Sequence, residues 1–160
     1  MSWSFATSFS MGITSYGNAI LSKYPILSAE RISLGGNQEN RSLLITEIDW
    51  DGERVTLFNT HLGLYEKEQA NQLVALYEQV HTVEGPALLL GDLNMNKDNE
   101  LLQPLIGKWH SPSVQAPTAS GKEIDHIFLN DFFESVQAYT IPTLASDHHP
   151  VVVELQWRNN

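Results

Sequence analysis

Carboxylate, amide and imidazole side chains stand at a few points of this sequence, directly after short apolar stretches. Leu88-Leu89-Leu90 leads into Gly91-Asp92-Leu93-Asn94. Side chains two residues apart lie on one face of an extended chain, so we predict that Asp92 and Asn94 point the same way where a strand ends. Open α/β sheets place their ligand sites at that end. The carboxylate can handle a proton or a metal-bound water and the amide can donate to a phosphoryl oxygen, although so short a motif also forms plain tight turns.

Imidazole groups recur in two similar settings. The run Ser146-Asp147-His148-His149-Pro150 places a hard oxygen ligand beside an imidazole, whose ordinary pKa of about 6.5 suits proton transfer near neutrality. A polar surface loop is the alternative interpretation of this run. Asn59-Thr60-His61-Leu62 closes another predicted strand, although a lone histidine at such a place is usually structural or simply exposed.

An aspartate also stands inside an apolar stretch, in Ile124-Asp125-His126-Ile127-Phe128. A carboxylate in that position needs a partner, because burying it alone is costly. Protonated His148 is the obvious candidate for this partner. His126 points to the opposite face of the predicted strand, and we interpret it as structural.

The apolar spacing predicts an α/β fold with many strands and few helices, and we interpret residues 1–160 as one domain. Residues 41–50 and 54–60 are predicted to form a hairpin about Asp51-Gly52, a dipeptide suited to a type I′ turn. Residues 35–37 are predicted to form a loop. The predicted strands cover residues 3–9, 18–22, 26–34, 41–50, 54–60, 87–90, 124–129, 135–141 and 151–157.

One long helix is predicted over residues 66–83, because apolar residues recur there at helical spacing. A second, short helix is predicted to run through Leu105, with Asp98 or Asn99 as its cap. The apolar residues that are expected to form the buried face of the long helix are Ala70, Leu73, Val74, Tyr77 and Val80.

Composition excludes several classes of site. The sequence has no cysteine, which rules out disulfides, thiolate metal sites and a cysteine nucleophile. Nine basic residues against 19 acidic ones, without a basic cluster, disfavour binding to a nucleic-acid duplex. No apolar run is long enough for a membrane span, and we expect a cytoplasmic protein.

Taken together, the order and spacing of these motifs resemble the endonuclease/exonuclease/phosphatase superfamily, whose members have a DNase I-like fold. The resemblance covers almost the whole chain. The matching segments are Tyr16-Gly17-Asn18-Ala19-Ile20-Leu21-Ser22 with Tyr24-Pro25-Ile26, Asn59-Thr60-His61-Leu62, Gly91-Asp92-Leu93-Asn94, Ile124-Asp125-His126-Ile127-Phe128 and Ser146-Asp147-His148.

The resemblance implies a four-layer β-sandwich, with two sheets packed face to face and helices outside. It also implies hydrolysis of a phosphoester that depends on Mg²⁺ or Mn²⁺. Substrates in such a family range from nucleic acid to phospholipid head groups and inositol phosphates, and the acidic charge leads us away from duplex DNA.

The resemblance further implies a role for each matching residue. His148 would accept the proton of the attacking water, and Asp125 would hold that imidazole in its working tautomer. Asp92 would contact a metal-bound water or protonate the leaving oxygen. The other implied roles are phosphate orientation by Asn94, donation to a phosphoryl oxygen by His61, metal binding by Asp147 with Asp92, and the rim of the substrate site for Asn18 and Arg41.

The sequence departs from the family pattern at its start. Family domains begin with a strand ending in asparagine, a helix, and a strand ending in the glutamate that is the principal metal ligand. No acidic residue precedes Glu30 in this chain, so we expect an N-terminally truncated domain with weak metal binding and an incomplete sheet that self-associates. The alternative function is that of a catalytically impaired fragment or a binding module.

Overall fold

The computed structural model describes residues 1–36, 39–112, 114 and 116–158. Within these residues the chain forms ten strands, one α-helix, α1 (Glu66–Val80), and one 3₁₀-helix (Glu100–Leu105). The strands are β1 (Ser2–Met11), β2 (Thr14–Ser22), β3 (Ile26–Gly35), β4 (Arg41–Trp50), β5 (Glu53–His61), β6 (Ala87–Asp92), β7 (Trp109–His110), β8 (Asp125–Asn130), β9 (Phe133–Thr140) and β10 (Val151–Trp157).

Six of the strands form one sheet in the order β3-β4-β5-β6-β8-β7. Strands β5 and β6 are parallel, and α1 connects them, as a parallel pair requires a crossover. Their register pairs His61 with Asp92, and the antiparallel β8 pairs Asp125 with Asp92. Three titratable residues of distant sequence segments therefore meet in a row at one end of the sheet.

The two faces of this sheet bury different layers. Leu43 and Leu89 pack with Leu73 and Leu76 of α1 on one face. Their chain neighbours Leu44 and Leu88 point to the other face, because side chains alternate along a strand, and pack there against the antiparallel pairs β1–β2 and β9–β10. The sheet is thus covered by the helix on one side and by the two strand pairs on the other.

Buried hydroxyl pairs fix the position of the β1–β2 hairpin on the sheet. The Oγ atoms of Ser8 and Ser42 lie 2.8 Å apart, and Ser4 Oγ lies 2.8 Å from Thr46 Oγ1. These four side chains are buried, so each hydroxyl satisfies another that would otherwise lose its hydrogen bonds with water. The turn between β1 and β2 is held at the end of the sheet that carries His61 and Asp92.

Several local predictions are confirmed. Asp51 and Gly52 have φ angles of 55° and 96°, as the predicted type I′ hairpin requires. Asn99 caps the short helix, with Oδ1 accepting from Leu101 N at 2.9 Å. Of the loop predicted at 35–37, residue 37 lies outside the described residues. No helix in the described part of the chain is long and apolar enough to cross a membrane.

The prediction for the long helix is wrong in two respects. α1 ends at Val80 and not at residue 83, because the hydroxyl and amide of Thr82 fold back onto Gln79 O. Its buried face includes Gln69 and Gln72, while Val74 is 60% exposed. Both amides bond the backbone of Gly63 in the loop between β5 and α1. Polar side chains with tertiary partners are therefore buried outside the predicted apolar face, and Val74 of that predicted face lies in solvent.

Candidate active site

Asp125 and His148 form the most direct contact of the site. His148 Nδ1 lies 2.9 Å from Oδ2 and 3.2 Å from Oδ1 of Asp125, which confirms the predicted partnership. Desolvation alone would lower the pKa of His148, but the hydrogen bond and charge of Asp125, with the charges of Asp92 and Asp147, raise it overall. With Nδ1 turned to the carboxylate, Nε2 is the nitrogen left to exchange a proton.

Asp92 lies beside this pair. Ligand atoms of Asp92, Asp125 and His148 all lie within 4.8 Å of one another. Burial raises the pKa of Asp92, and the charge of Asp125 raises it further. The backbone N–H of Asn94, which donates to Asp92, lowers it. The site thus combines two carboxylates and an imidazole, a donor set that can hold a divalent cation.

His61 occupies the other side of Asp92, with Nε2 at 3.4 Å from Asp92 Oδ2. Burial, followed by the positive charge of Arg41, lowers the pKa of His61 to about 4, so the ring is neutral at neutral pH. Its Nδ1 lies 3.0 Å from the hydroxyl of Tyr16. With Tyr16 donating to Nδ1, the ring proton lies on Nε2 and faces Asp92.

The structure corrects the backbone conformation predicted for Asn94. β6 ends at Asp92, and Asn94 has a φ of 53°, so the chain is not extended through this residue. The amide nitrogen of its side chain donates to Leu62 O at 2.9 Å, and its backbone N–H donates to Asp92 Oδ1 at 2.8 Å. Asn94 therefore joins the ends of β5 and β6 and orients Asp92, and its role at the phosphate stays a prediction.

The two predicted rim residues are buried. Arg41 forms an ion pair with Glu39, with Nη2 and Oε2 3.0 Å apart. Its charge acts on His61 and lowers the pKa of Asp92 as well, which places Arg41 in the electrostatic surroundings of the site. Asn18 donates from Nδ2 to Ser42 O at 2.7 Å and so holds the β1–β2 hairpin to β4.

Asp147 lies beside His148 but outside the group of three. Its side chain is exposed, and the Ser146 hydroxyl lies 3.5 Å from Oδ1. Its charge is felt at His148, and its role as a metal ligand stays a prediction. His126 is 3% exposed and bonded from Nε2 to Met95 O at 2.8 Å, as expected for a structural histidine.

A cleft of about 500 Å³ opens beside the catalytic candidates. Asp125 and His148 lie on its wall, and Leu90, Ile127 and Val151 also line it. Asp125 and His148 therefore border a space that a ligand can enter.

Sequence reasoning did not assign a role at the site to Tyr16 or to Thr118. Tyr16 stands in a segment that matches the family pattern, but only the fold brings its hydroxyl to His61, 45 positions along the chain. Thr118 lies in the loop before Asp125 and bonds the backbone of that residue. The Tyr16 contact depends on the packing of distant segments, whereas the Thr118 contact spans seven residues across a turn.

The family model described as Endonuclease/Exonuclease/phosphatase family matches residues 2–148. No curated protein matches the sequence significantly. Solved structures are similar, among them an endonuclease/exonuclease/phosphatase from Beutenbergia cavernae, with 21% identity and a TM-score of 0.81. A second is a mannosyl-6-phosphatase of Bacteroides thetaiotaomicron, with 16% identity and a TM-score of 0.73. A third is D. rerio TDP2 complexed with a single-strand DNA product, with 17% identity and a TM-score of 0.79.

These likenesses extend over 96–97% of this chain. The chain spans 53% of the Beutenbergia protein and 77% of each of the other two. At these identities the similarity establishes the fold. The DNase I-like α/β class predicted from the sequence is confirmed.

Proposed function

The chain belongs to the endonuclease/exonuclease/phosphatase family, and on that premise we propose that it hydrolyses phosphate esters with a water activated by Asp125 and His148. Enzymes of the three kinds in the family name all cleave phosphate esters. The observation that supports the proposal most directly is the 2.9 Å contact between Asp125 Oδ2 and His148 Nδ1, beside Asp92 and facing an open cleft.

In this proposal His148 takes the proton of the attacking water on Nε2. Asp125 fixes the ring and stabilises the imidazolium that forms, the part that an orienting carboxylate plays in hydrolase triads. Desolvation lowers the pKa of His148, but the hydrogen bond and charge of Asp125 outweigh it and raise the pKa overall, which makes the ring a stronger base. Such a base works best when its pKa lies near the working pH.

Asp92 and His61 act on the leaving and phosphoryl oxygens. Burial makes the charged form of Asp92 more costly and raises its pKa. As a carboxylate it would hold a cation beside the leaving oxygen. Neutral His61 offers its Nε2–H at the same place. Asn94 holds Asp92 through its backbone N–H and orients the phosphate with its side chain.

We propose Mg²⁺ or Mn²⁺ as the cofactor. Hard cations prefer carboxylate oxygens, and the clustering of Asp92 with Asp125 and His148 fits such an ion. Because both oxygens of Asp125 lie within 3.2 Å of His148 Nδ1, Asp92 is the better placed ligand, with Asp147 as the second. The ion neutralises the charge on the phosphoryl oxygens when it is bound.

The substrate is a phosphoester. The charge of buried Arg41, which acts on His61 and Asp92, attracts its phosphate, and Asn18 holds the hairpin beside the site. Nucleic acid, phospholipid head groups and inositol phosphates are the candidate classes. A net charge of −10 opposes the binding of a long polyanion, so we place small phosphoesters ahead of duplex DNA.

The test is hydrolysis of a panel that contains bis(4-nitrophenyl) phosphate, single-stranded DNA, a phosphatidylcholine dispersion and inositol phosphates, with Mg²⁺ or Mn²⁺ and then with chelator. His148→Ala should abolish turnover and keep the circular dichroism spectrum, because the residue lies at the end of the sheet and outside the core. Full activity in this variant would mean that the base is misassigned. Absence of Mg²⁺ and Mn²⁺ binding at millimolar concentration in calorimetry would favour a binding module instead.

We also propose that the chain associates with itself through the outer face of the β1–β2 hairpin. Trp3 of β1 pairs with Leu21 of β2 on this face, and both are more than two thirds exposed, at 73% and 68%. Phe5, on the same face of β1, is 44% exposed, and a contiguous apolar patch is the kind of surface at which proteins associate. Light scattering should show a dimer that Trp3→Ser with Leu21→Ser converts to monomer, and a monomeric wild type would exclude it.

A further inference from the structure

Thr118 stands in a tight turn directly before β8 and is 0% exposed. Ala119 and Lys122 pair across this turn. Ser120 and Gly121 between them have φ angles of 48° and 77°, the left-handed values of a two-residue type I′ turn. The turn therefore holds Thr118 in one place relative to the strand that follows.

The hydroxyl of Thr118 anchors the first residues of β8. It accepts from the backbone N–H groups of Ile124 and Asp125, each at 3.0 Å, and it lies 3.4 Å from Lys122 O. A hydroxyl has two acceptor positions and one donor, so these three contacts use all of them. The backbone of Asp125 is thereby fixed by one buried side chain.

The main chain of Thr118 holds the other member of the pair. Its carbonyl accepts from His149 N at 2.7 Å, and the next residue, Ala119, forms an antiparallel bridge with His148. The segment after β9 that carries His148 thus rests on the same turn that fixes Asp125. Two segments 23 positions apart share a single support.

The support continues to the third member of the site. Ile124 O accepts from Leu93 N at 2.9 Å, immediately after Asp92. Ile124 is itself held by the Thr118 hydroxyl at its N–H. Displacement of Thr118 would therefore reach the ends of both β6 and β8.

We propose that Thr118 is a positioning residue, which sets the distance and orientation between the Asp125 carboxylate and the His148 imidazole. Its side chain is enclosed and bonded to backbone, so it acts through these two residues and not on the substrate. The effect on rate rests on the proposed phosphoester hydrolysis, while the effect on geometry does not.

Two substitutions separate this role from general stability. Thr118→Val keeps the shape and removes all three hydroxyl contacts, and we expect kcat to fall about 10- to 100-fold with KM nearly unchanged, as for a misplacement on the order of 1 Å. Thr118→Ser keeps the hydroxyl and should restore the rate. The matched control is Thr46→Val. Thr46 is a buried threonine in the same six-stranded sheet as β8, and its hydroxyl contacts Ser4 of the β1–β2 hairpin. This variant should lower stability and leave kcat near the wild-type value.

A double-mutant cycle tests whether Thr118 acts through Asp125. In the Asp125→Asn background, Thr118→Val should cause little further loss of kcat, because the geometry that it supports is already inactive. Full additivity of the two losses would overturn the proposal, since it would mean that Thr118 acts independently of the pair.

The measurement that does not need activity is the ¹⁵N NMR signature of the His148 ring at a fixed pH of about 8.5, where neutral histidine shows its tautomer. Wild type and Thr118→Ser should carry the proton on Nδ1, facing Asp125, and Thr118→Val should show a mixture. Should Thr118→Val not fold, Gly121→Ala, which strains the turn at an open position, should give the same mixture. An unchanged ring signature would overturn the proposal, whereas turnover missing from every variant and the wild type would refute only the hydrolase function.

Discussion

Asp125 and His148, 23 positions apart in the sequence, meet with Oδ2 and Nδ1 2.9 Å from each other. The contact occupies Nδ1 of a ring that also lines the cleft beside the site. In a folded hydrolase such a carboxylate holds the imidazole in one tautomer and stabilises it when it is protonated. The chemistry proposed for the chain depends on this contact more than on any other.

Asp125→Asn tests the contact directly. The amide has nearly the same shape but lacks the charge, so we expect kcat to fall about 10²- to 10⁴-fold while KM changes little. Asp131→Asn is the matched control, because that carboxylate is exposed and forms a surface ion pair with Arg158, with Oδ1 and Nη1 3.5 Å apart. Steady-state kinetics measure kcat and KM of both variants. Equal activity of Asp125→Asn and wild type would contradict the role of Asp125 as the carboxylate that orients His148.

The titration of His148 offers a second test. The carboxylate of Asp125 outweighs desolvation and raises the pKa of His148, so in metal-free buffer the ring should titrate above its ordinary value of about 6.5. Asp125→Asn removes the hydrogen bond and charge that raise it, and the titration should move to lower pH. Following the ring protons by NMR measures both shifts, and a shift to higher pH in the variant would show that Asp125 does not raise this pKa.

Since only neutral His148 can accept a proton, kcat/KM should rise with pH through this pKa and level off above it.

The depressed pKa of His61 predicts acid sensitivity of the fold. Its value of about 4 in the folded chain lies below the ordinary 6.5, so the unfolded chain takes the proton first as pH falls. The stabilisation is complete above pH 6.5 and is lost as the pH falls through about 4, amounting to about 3 kcal/mol in the free energy of unfolding. Below pH 4 His61 is protonated in both the folded and the unfolded chain, so it no longer makes the free energy of unfolding depend on pH.

Urea denaturation of the metal-free chain at pH 7.5 and pH 4.5 measures this loss. His61→Gln lacks the titrating ring and should lose less stability over the same interval, with the difference between the variants reporting His61 alone. The comparison with His61→Gln is needed because two other buried groups also make the free energy of unfolding depend on pH. Burial lowers the pKa of His126, which destabilises the fold as pH falls, and raises that of Asp92, which has the opposite effect. Identical pH dependence in the two proteins would contradict the prediction.

The site could be predicted from the sequence where an energetic rule sufficed. An aspartate in an apolar strand requires a partner, and that rule alone led from Asp125 to His148. The turn at Asp51-Gly52 and the cap at Asn99 followed from local backbone preferences in the same way.

Prediction failed where a distant contact overrides local preference. Asn94 adopts a left-handed backbone conformation that joins the ends of two strands, so the rule for extended chains did not apply to it. Gln69 and Gln72 are buried because they form hydrogen bonds with the backbone of Gly63. The apolar periodicity of the helix does not predict such a partner. Tyr16 belongs to the same class, since its partner His61 is 45 positions away. Thr118 belongs to it through its carbonyl, which accepts from His149 N.

The proposed cation site predicts different effects for two aspartates. Asp92 lies in the cluster with Asp125 and His148, whereas Asp147 is exposed beside it. In calorimetry with Mn²⁺, Asp92→Asn should weaken binding at least about tenfold, a loss typical even of outer-shell changes, and Asp147→Asn should weaken it less. Asp98→Asn, at an exposed position, serves as the control. Unchanged affinity in Asp92→Asn would remove this residue from the ligand set.

The contact between the Tyr16 hydroxyl and His61 Nδ1 at 3.0 Å predicts a role for the hydroxyl alone. Tyr16→Phe keeps the ring and frees Nδ1, so the His61 ring is no longer held with its proton toward Asp92. We expect kcat to fall about 2- to 10-fold, the equivalent of one hydrogen bond. Phe9→Leu is the matched control, because it removes the ring that packs on Tyr16 with centroids 5.3 Å apart and leaves the hydroxyl.

Steady-state kinetics with a small phosphodiester distinguish the two contributions of Tyr16. If the hydroxyl orients His61, Tyr16→Phe lowers kcat more than Phe9→Leu does, and it has no further effect in the His61→Gln background. If the aromatic ring instead contacts the substrate, KM rises in Phe9→Leu and stays unchanged in Tyr16→Phe. The second pattern would show that His61 keeps its orientation through the 3.4 Å contact with Asp92 and not through Tyr16.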